Sequence, residues 1–159
     1  MAPMRRDHAT PHPPARTAQI VVVALAAGVL VATVAMAVLR SMMEARSAAA
    51  QVMPFVLAGL GVAQIGGYLF LRRHFLGRAA AMGAQAQTLV RDGHVPQPLF
   101  QLAIIGAALA EGFGLLGAVS LLLGASWYVL AAPVLAIPLI LVQLPTRSRL
   151  EEQLRNVRG

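Results

Sequence analysis

Four long apolar runs separated by polar breaks dominate the chain. They cover residues 17–39, 52–71, 99–123 and 126–144. An α-helix rises 1.5 Å per residue and a bilayer core is about 30 Å thick, so about 20 apolar residues cross it. The pattern predicts an all-α polytopic membrane protein, a four-helix transmembrane bundle over 17–144. The first run is longer than the apolar stretch of a signal peptide. It is therefore expected to be retained, although Ala35-Met36-Ala37 has the form of a cleavage site.

The breaks predict the connections. Residues 1–16 hold Pro3, Pro11, Pro13 and Pro14 and no apolar periodicity, so a disordered arm is expected. Its Arg5-Arg6 pair lacks the context of a twin-arginine signal, and His8 and His12 are not read as a metal site. Residues 40–51 form a short polar loop. Residues 79–90 favour helix and either extend the second span or lie on the membrane surface. Arg91-Asp92-Gly93, Pro96 and Pro98 then end it. Only Gly124-Ala125 separates the third and fourth runs, which predicts an antiparallel hairpin. Pro54 is expected in the first turn of its helix, where a missing N–H costs little. Pro133 and Pro138 should kink the fourth span, and Trp127 and Tyr128 should sit at the aromatic belt. The tail, 145–159, reads as an amphipathic helix on the membrane surface. Ser148 and Glu151 have capping-box spacing, Glu151 and Arg155 are an i,i+4 pair, and Leu150, Leu154 and Val157 share a side. No polar segment is long enough to bury a core of its own.

Small residues recur at every fourth position: Gly59, Ala63 and Gly67 in the second run, and Gly106, Ala110, Gly114 and Ala118 in the third. Such faces let another helix approach closely. Ala24, Gly28 and Ala32 repeat the pattern in the first. Gln64 lies inside the second run, where its amide needs a partner on a neighbouring helix.

One charged residue interrupts the runs. Glu111 has twelve residues of its run on either side, roughly 18 Å to each end. A charge at that depth costs at least ~2.5–3.5 kcal/mol. The neutral acid is the cheaper state, so Glu111 is expected to be buried and largely protonated. It serves either as a hydrogen-bonding strut within the bundle or as a proton or sodium site, with Gln64 the nearest hydrogen-bonding residue among the spans.

Charge and composition narrow the function. Only 12% of residues are charged, against about 25% in a soluble domain. All 13 basic residues are arginine and lie outside the runs, as lipid-facing topology requires, so nucleic acid is not expected as a partner. Arg5, Arg6, Arg16, Arg72, Arg73, Arg78, Arg91, Arg147, Arg149, Arg155 and Arg158 fall on one side of a four-span layout, and only Arg40 and Arg46 on the other. That asymmetry predicts both termini in the cytoplasm. There is no cysteine, hence no disulfide, thiol nucleophile or thiolate metal site. No nucleophile–base set, metalloprotease helix or phosphate loop is present, so no catalytic residue, metal or cofactor is expected. The partners implied are the lipid bilayer and a second copy of the chain or another membrane protein.

The stretch 105–117, IGAALAEGFGLLG, resembles the carboxylate helix of the proteolipid (subunit c) of rotary ATP synthases. The resemblance implies that Glu111 binds a translocated proton or sodium ion. A longer likeness covers roughly 95–155. A helix with Ala-Leu-Ala-Glu-Gly, a tight turn, an apolar helix and then Pro-Thr-Arg-Ser-Arg-Leu-Glu-Glu-Gln-Leu is similar to a group of small uncharacterised bacterial four-helix membrane proteins. It implies a multi-pass protein of the bacterial inner membrane. The expected function is that of a non-catalytic accessory or assembly component, with ion translocation through Glu111 as the alternative.

Overall fold

Proline and glycine set the element boundaries. The computed structural model describes residues 13–42 and 49–156. Arg5, Arg6, His8, His12, Glu44, Arg46, Val157 and Arg158 lie outside them. Pro14, extended at φ −64° and ψ 145°, precedes α1 (Ala15–Ser41), which thus begins two residues before the apolar run. Helix α2 (Ala49–Ala81) continues ten residues past its apolar run and would measure about 50 Å. Its last turns carry Arg72, Arg73, His74 and Arg78, all exposed. Pro54 is the sixth residue of α2, not in its first turn. The helix starts earlier than the hydropathy suggests, so the missing N–H removes an internal backbone bond.

Gly83, at φ +57°, breaks α2 from α3 (Ala84–Arg91), and Gly93, at φ +79°, ends α3. The stretch 79–90 is therefore divided between two helices. Pro96 and Pro98 open α4 (Gln97–Leu122), where the proline ring loses no intrahelical bond. The turn after α4 is tight, as expected. Gly124 adopts φ +95°, and the Ala125 N–H donates back to the Ser120 carbonyl at 3.1 Å. The fourth run is not one α-helix. It forms a 3₁₀ turn (Trp127–Leu130) and then α5 (Ala131–Val142). Pro133 thus falls in the first turn of α5, where it breaks nothing, and only Pro138 lies inside the helix. Trp127 and Tyr128 face outward. Helix α6 (Arg147–Asn156) follows.

Among the described residues there are six α-helices and no strand. Helices α1, α2 and α4 are each long and apolar enough to cross a membrane. The 3₁₀ turn with α5 passes that test only together with α6, from which it bends by 78°.

Helix α4 is the axis of the bundle. It packs against α1, α2 and α5, and α1 also packs on α5. Val22, Ala26 and Val29 of α1, Ala107 of α4, and Ala136 and Ile140 of α5 form one buried cluster. Leu57, Leu121, Ala125 and Val129 form another at the hairpin turn. Glycine allows the close approach of α4 and α5. A Cβ on Gly117 would lie 2.6 Å from the Ala132 Cβ and 2.8 Å from the Pro133 Cδ. On Gly114 it would lie 2.8 Å from the Ala136 Cβ and 2.9 Å from the Val29 Cγ1.

The opposite end carries a small capping core that no single polar segment could form. Three segments pool their apolar residues there: Ala79 of α2, Ala86 and Val90 of α3 with Val95 and Leu99, and Leu150 and Leu154 of α6. The tail helix docks on the protein through these leucines. Its ion pair joins Arg147 to Glu151 at 2.9 Å, not Glu151 to Arg155. Backbone bonds tie the start of α1 to the same end. The Ala15 N–H donates to the Gly93 carbonyl and the Val95 N–H to the Pro13 carbonyl, both at 3.2 Å. The Gln19 Nε2 donates to the Pro145 carbonyl at 3.3 Å. The segments around 14, 94 and 145–154 therefore share one end of the bundle.

Two substitutions of the same chemistry separate packing from propensity. Nothing lies within 4 Å of a Cβ placed on Gly112, so Gly112→Ala should stabilise the helix by about 0.4–1 kcal/mol. Gly117→Ala should destabilise by about 1–3 kcal/mol through overpacking against Ala132 and Pro133. Equilibrium unfolding of the purified protein in mild detergent should give opposite signs.

Candidate functional site

Glu111 lies on α4 fourteen residues after Gln97 and eleven before Leu122, so it is near the middle of the helix. Two other positions set where its side chain goes. Gly114, one turn on, is the buried contact with Val29 of α1. Ala108, one turn back, is exposed. Glu111 lies between these directions, at the edge of the α1–α4 seam. Its Oε1 is 3.5 Å from where a Cβ on Gly28 would be. Gly28 leaves room for the carboxyl and is itself exposed, while Glu111 is half-buried. Glu111, expected to be buried, is thus only half-buried: the carboxyl sits at the rim of the seam, because α1 covers only one of its sides. Among the described residues it makes no hydrogen bond or ion pair, and no group of three metal-ligating side chains forms.

Gln64 is elsewhere. It lines a cavity of about 300 Å³ between α2, α4 and α5, together with Tyr68, Phe113, Leu135, Leu139 and Gln143. Ala110 and Phe113 flank that cavity and Glu111 does not. The two proposed ion ligands thus occupy different faces of α4, and the fold does not bring them together. A helix turns 100° per residue, so a neighbour of the cavity-facing Ala110 points well away from it.

The polar contact that does form inside the bundle joins residues not singled out from the sequence. The Tyr68 hydroxyl donates to the Gln143 Oε1 at 3.1 Å. Gln143 is the penultimate residue of the fourth apolar run. Only the packing of both α2 and α5 on α4 brings Tyr68 to it. Gly106 makes the contact possible, since a Cβ there would lie 2.9 Å from the Tyr68 ring and 3.0 Å from the Gln143 Cδ.

The small-residue faces divide. Gly106 and Gly114 are buried contacts, Ala118 is buried, and Ala110 is half-buried beside the cavity. Gly59, Ala63 and Gly67 are exposed, and nothing lies within 4 Å of a Cβ on either glycine. Helix α2 instead turns Leu57, Gly61, Gln64 and Tyr68 towards α4. The 59–63–67 face, read from the sequence as one that lets another helix approach, looks outward and meets no other helix of the chain among the described residues. Gly61 supports Phe113, whose Cε2 is 3.3 Å from the Cβ position.

No protein-family model, curated protein or solved structure matches the chain. The likeness of 105–117 to the proteolipid helix therefore rests on its thirteen residues alone.

Tyr68→Phe should destabilise the fold by about 0.6 kcal/mol, and by no more than about 1.7, the average and maximum for interhelical hydrogen bonds in a membrane, because it strands the Gln143 carbonyl. Gln64→Leu removes an amide that has no side-chain partner among the described residues, and should be neutral or stabilising. Denaturant titration of both variants, reconstituted in lipid, tests the contrast.

Proposed function

We propose that the chain is a four-span integral protein of the plasma membrane with both termini in the cytoplasm. In this reading it has no catalytic site and acts as an accessory or assembly component. The arginine asymmetry supports the topology, and so does the meeting of the segments around 14, 94 and 145 at one end. The 3₁₀ turn and α5 together would cover about 26 Å, enough to cross a thin bilayer core with flanking aromatics at one interface.

One observation carries the assembly reading. Glu111 is half-buried at mid-helix and has no hydrogen bond or ion pair among the described residues. A carboxyl in hydrocarbon needs a polar partner. A neighbouring membrane helix seated on the α1–α4 edge supplies it, across the small residues Gly28 and Ala108. Glu111 is then the recognition group of an intramembrane interface with a second copy or another membrane protein.

The same half-exposed carboxyl supports a second reading, a proton-carrying subunit. A proton needs a single carboxyl, whereas sodium needs several oxygen ligands, and Gln64 lies across α4 from Glu111.

Three variants discriminate. Under the assembly reading, Glu111→Gln retains the complex seen on native gels of gently solubilised membranes, because the amide still hydrogen-bonds. Glu111→Leu dissociates it while the isolated chain keeps its stability. Glu111→Asp, shorter by one methylene, weakens it. Under the proton reading, Glu111→Gln keeps the assembly but abolishes proton flux into proteoliposomes. Wild-type protein that is monomeric in native membranes and passes no protons would refute both.

A further inference from the structure

Helices α3 and α6 face each other across a groove of about 550 Å³ at the end of the bundle that holds α2's last turns. Each contributes one side-chain row. Gln87 and Arg91 are i,i+4 on α3, and Arg147, Glu151 and Arg155 continue at i+4 and i+8 along about 12 Å of α6. The floor is apolar, formed by the buried Val90 and Leu154. These two residues fix the groove, because they belong to the capping core that joins both helices.

Three guanidinium groups and one carboxylate leave the groove at a net charge of +2. Arg91 and Arg155 make no hydrogen bond or ion pair among the described residues. Arg147 holds Glu151 at 2.9 Å, but that pair is largely exposed, with 68% and 48% of the two side chains accessible. Such a pair contributes little and yields readily to a stronger anion. Arg149 is different: it donates to the Val142 carbonyl at the end of α5 and does not line the groove. Asp92 and Glu152 also lie outside the lining.

We propose that this groove binds a phosphomonoester. Guanidinium forks match phosphate oxygens two at a time. A phosphomonoester carries about −1.5 to −2 charge at neutral pH and three acceptor oxygens, which suits a groove with three guanidinium groups and a net charge of +2. A phosphodiester offers one charge and two free oxygens, and leaves one guanidinium unmatched. Gln87 adds a neutral donor beside Arg91. The phosphate belongs either to an anionic lipid headgroup or to a soluble phosphorylated molecule. The groove opens close after Val142, the last residue of α5, which under the four-span reading is headgroup depth.

The test uses the full chain in uncharged detergent. Short-chain phosphatidic acid, short-chain phosphatidylglycerol and inorganic phosphate are each titrated by calorimetry. Phosphatidic acid should bind saturably, and phosphatidylglycerol about tenfold or more weaker. Arg91→Gln with Arg155→Gln should lower the affinity by at least about tenfold, with the melting temperature unchanged because both side chains are exposed. Arg72→Gln with Arg73→Gln, exposed on α2 and outside the groove, should leave it unchanged. Competition by inorganic phosphate at similar concentration assigns a soluble ligand, and binding of the lipid alone assigns a headgroup; both support the site. An equal loss in the Arg72/Arg73 variant would reduce the effect to general surface charge and overturn the proposal. So would equal affinity for the phosphodiester, or no saturable binding.

Discussion

The bundle depends on the close approach of α4 to its neighbours at Gly114 and Gly117. Lipid tails are as apolar as leucine, so helices in a bilayer gain little from hiding apolar surface and must gain from contact. Two glycines one turn face apart let Ala132, Pro133 and Ala136 of α5 reach the α4 backbone, and Val29 of α1 reaches it at Gly114 as well. That places α4 at the centre and leaves α1, α2 and α5 as its clients. The tight Gly124-Ala125 turn sets the register of α5 along α4, so the alanines and proline arrive opposite the glycines.

Polar groups within the apolar segments meet two fates. Tyr68 and Gln143 satisfy each other across the α2–α5 gap, over Gly106. Glu111 stays at the seam between α1 and α4 without a partner among the described residues. The difference is azimuthal. Helix α5 covers the face of α4 that carries Ala110 and Gly114, whereas α1 covers only one flank of Glu111. A group left this way sets a condition on whatever lies beside the protein, and this is why the assembly reading centres on it.

The capping end works by a different physics. Here α3, α6 and the last turns of α2 pool Val90, Val95, Leu99, Leu150 and Leu154, whose burial away from water is favourable in itself. Short amphipathic helices that would not fold alone are held by sharing one core. Their polar rows then face each other, and arginines far apart along the chain line one groove when it is folded.

The apolar runs, the prolines and the glycines of the sequence were enough to determine the helical class, the hairpin turn, the break before α4 and the tail helix. Each of these is a local property of length, φ angle or a missing N–H. Local signals misplaced the start of α2, and with it Pro54, because helix continues through Ala49 and Ala50 outside the apolar run. What only the tertiary structure decided was rotation about the helix axes. The spans are apolar on every face, so no amphipathic stripe marks which side turns inward. Two small-residue ladders therefore read alike, yet the one through Gly106 and Gly114 packs while the one through Gly59 and Gly67 faces outward. For the same reason Gln64, the nearest hydrogen-bonding residue to Glu111 by sequence, ends against a different face of α4 from it. The facing of Tyr68 with Gln143, and of α3 with α6, arises only when helices distant in sequence are set side by side.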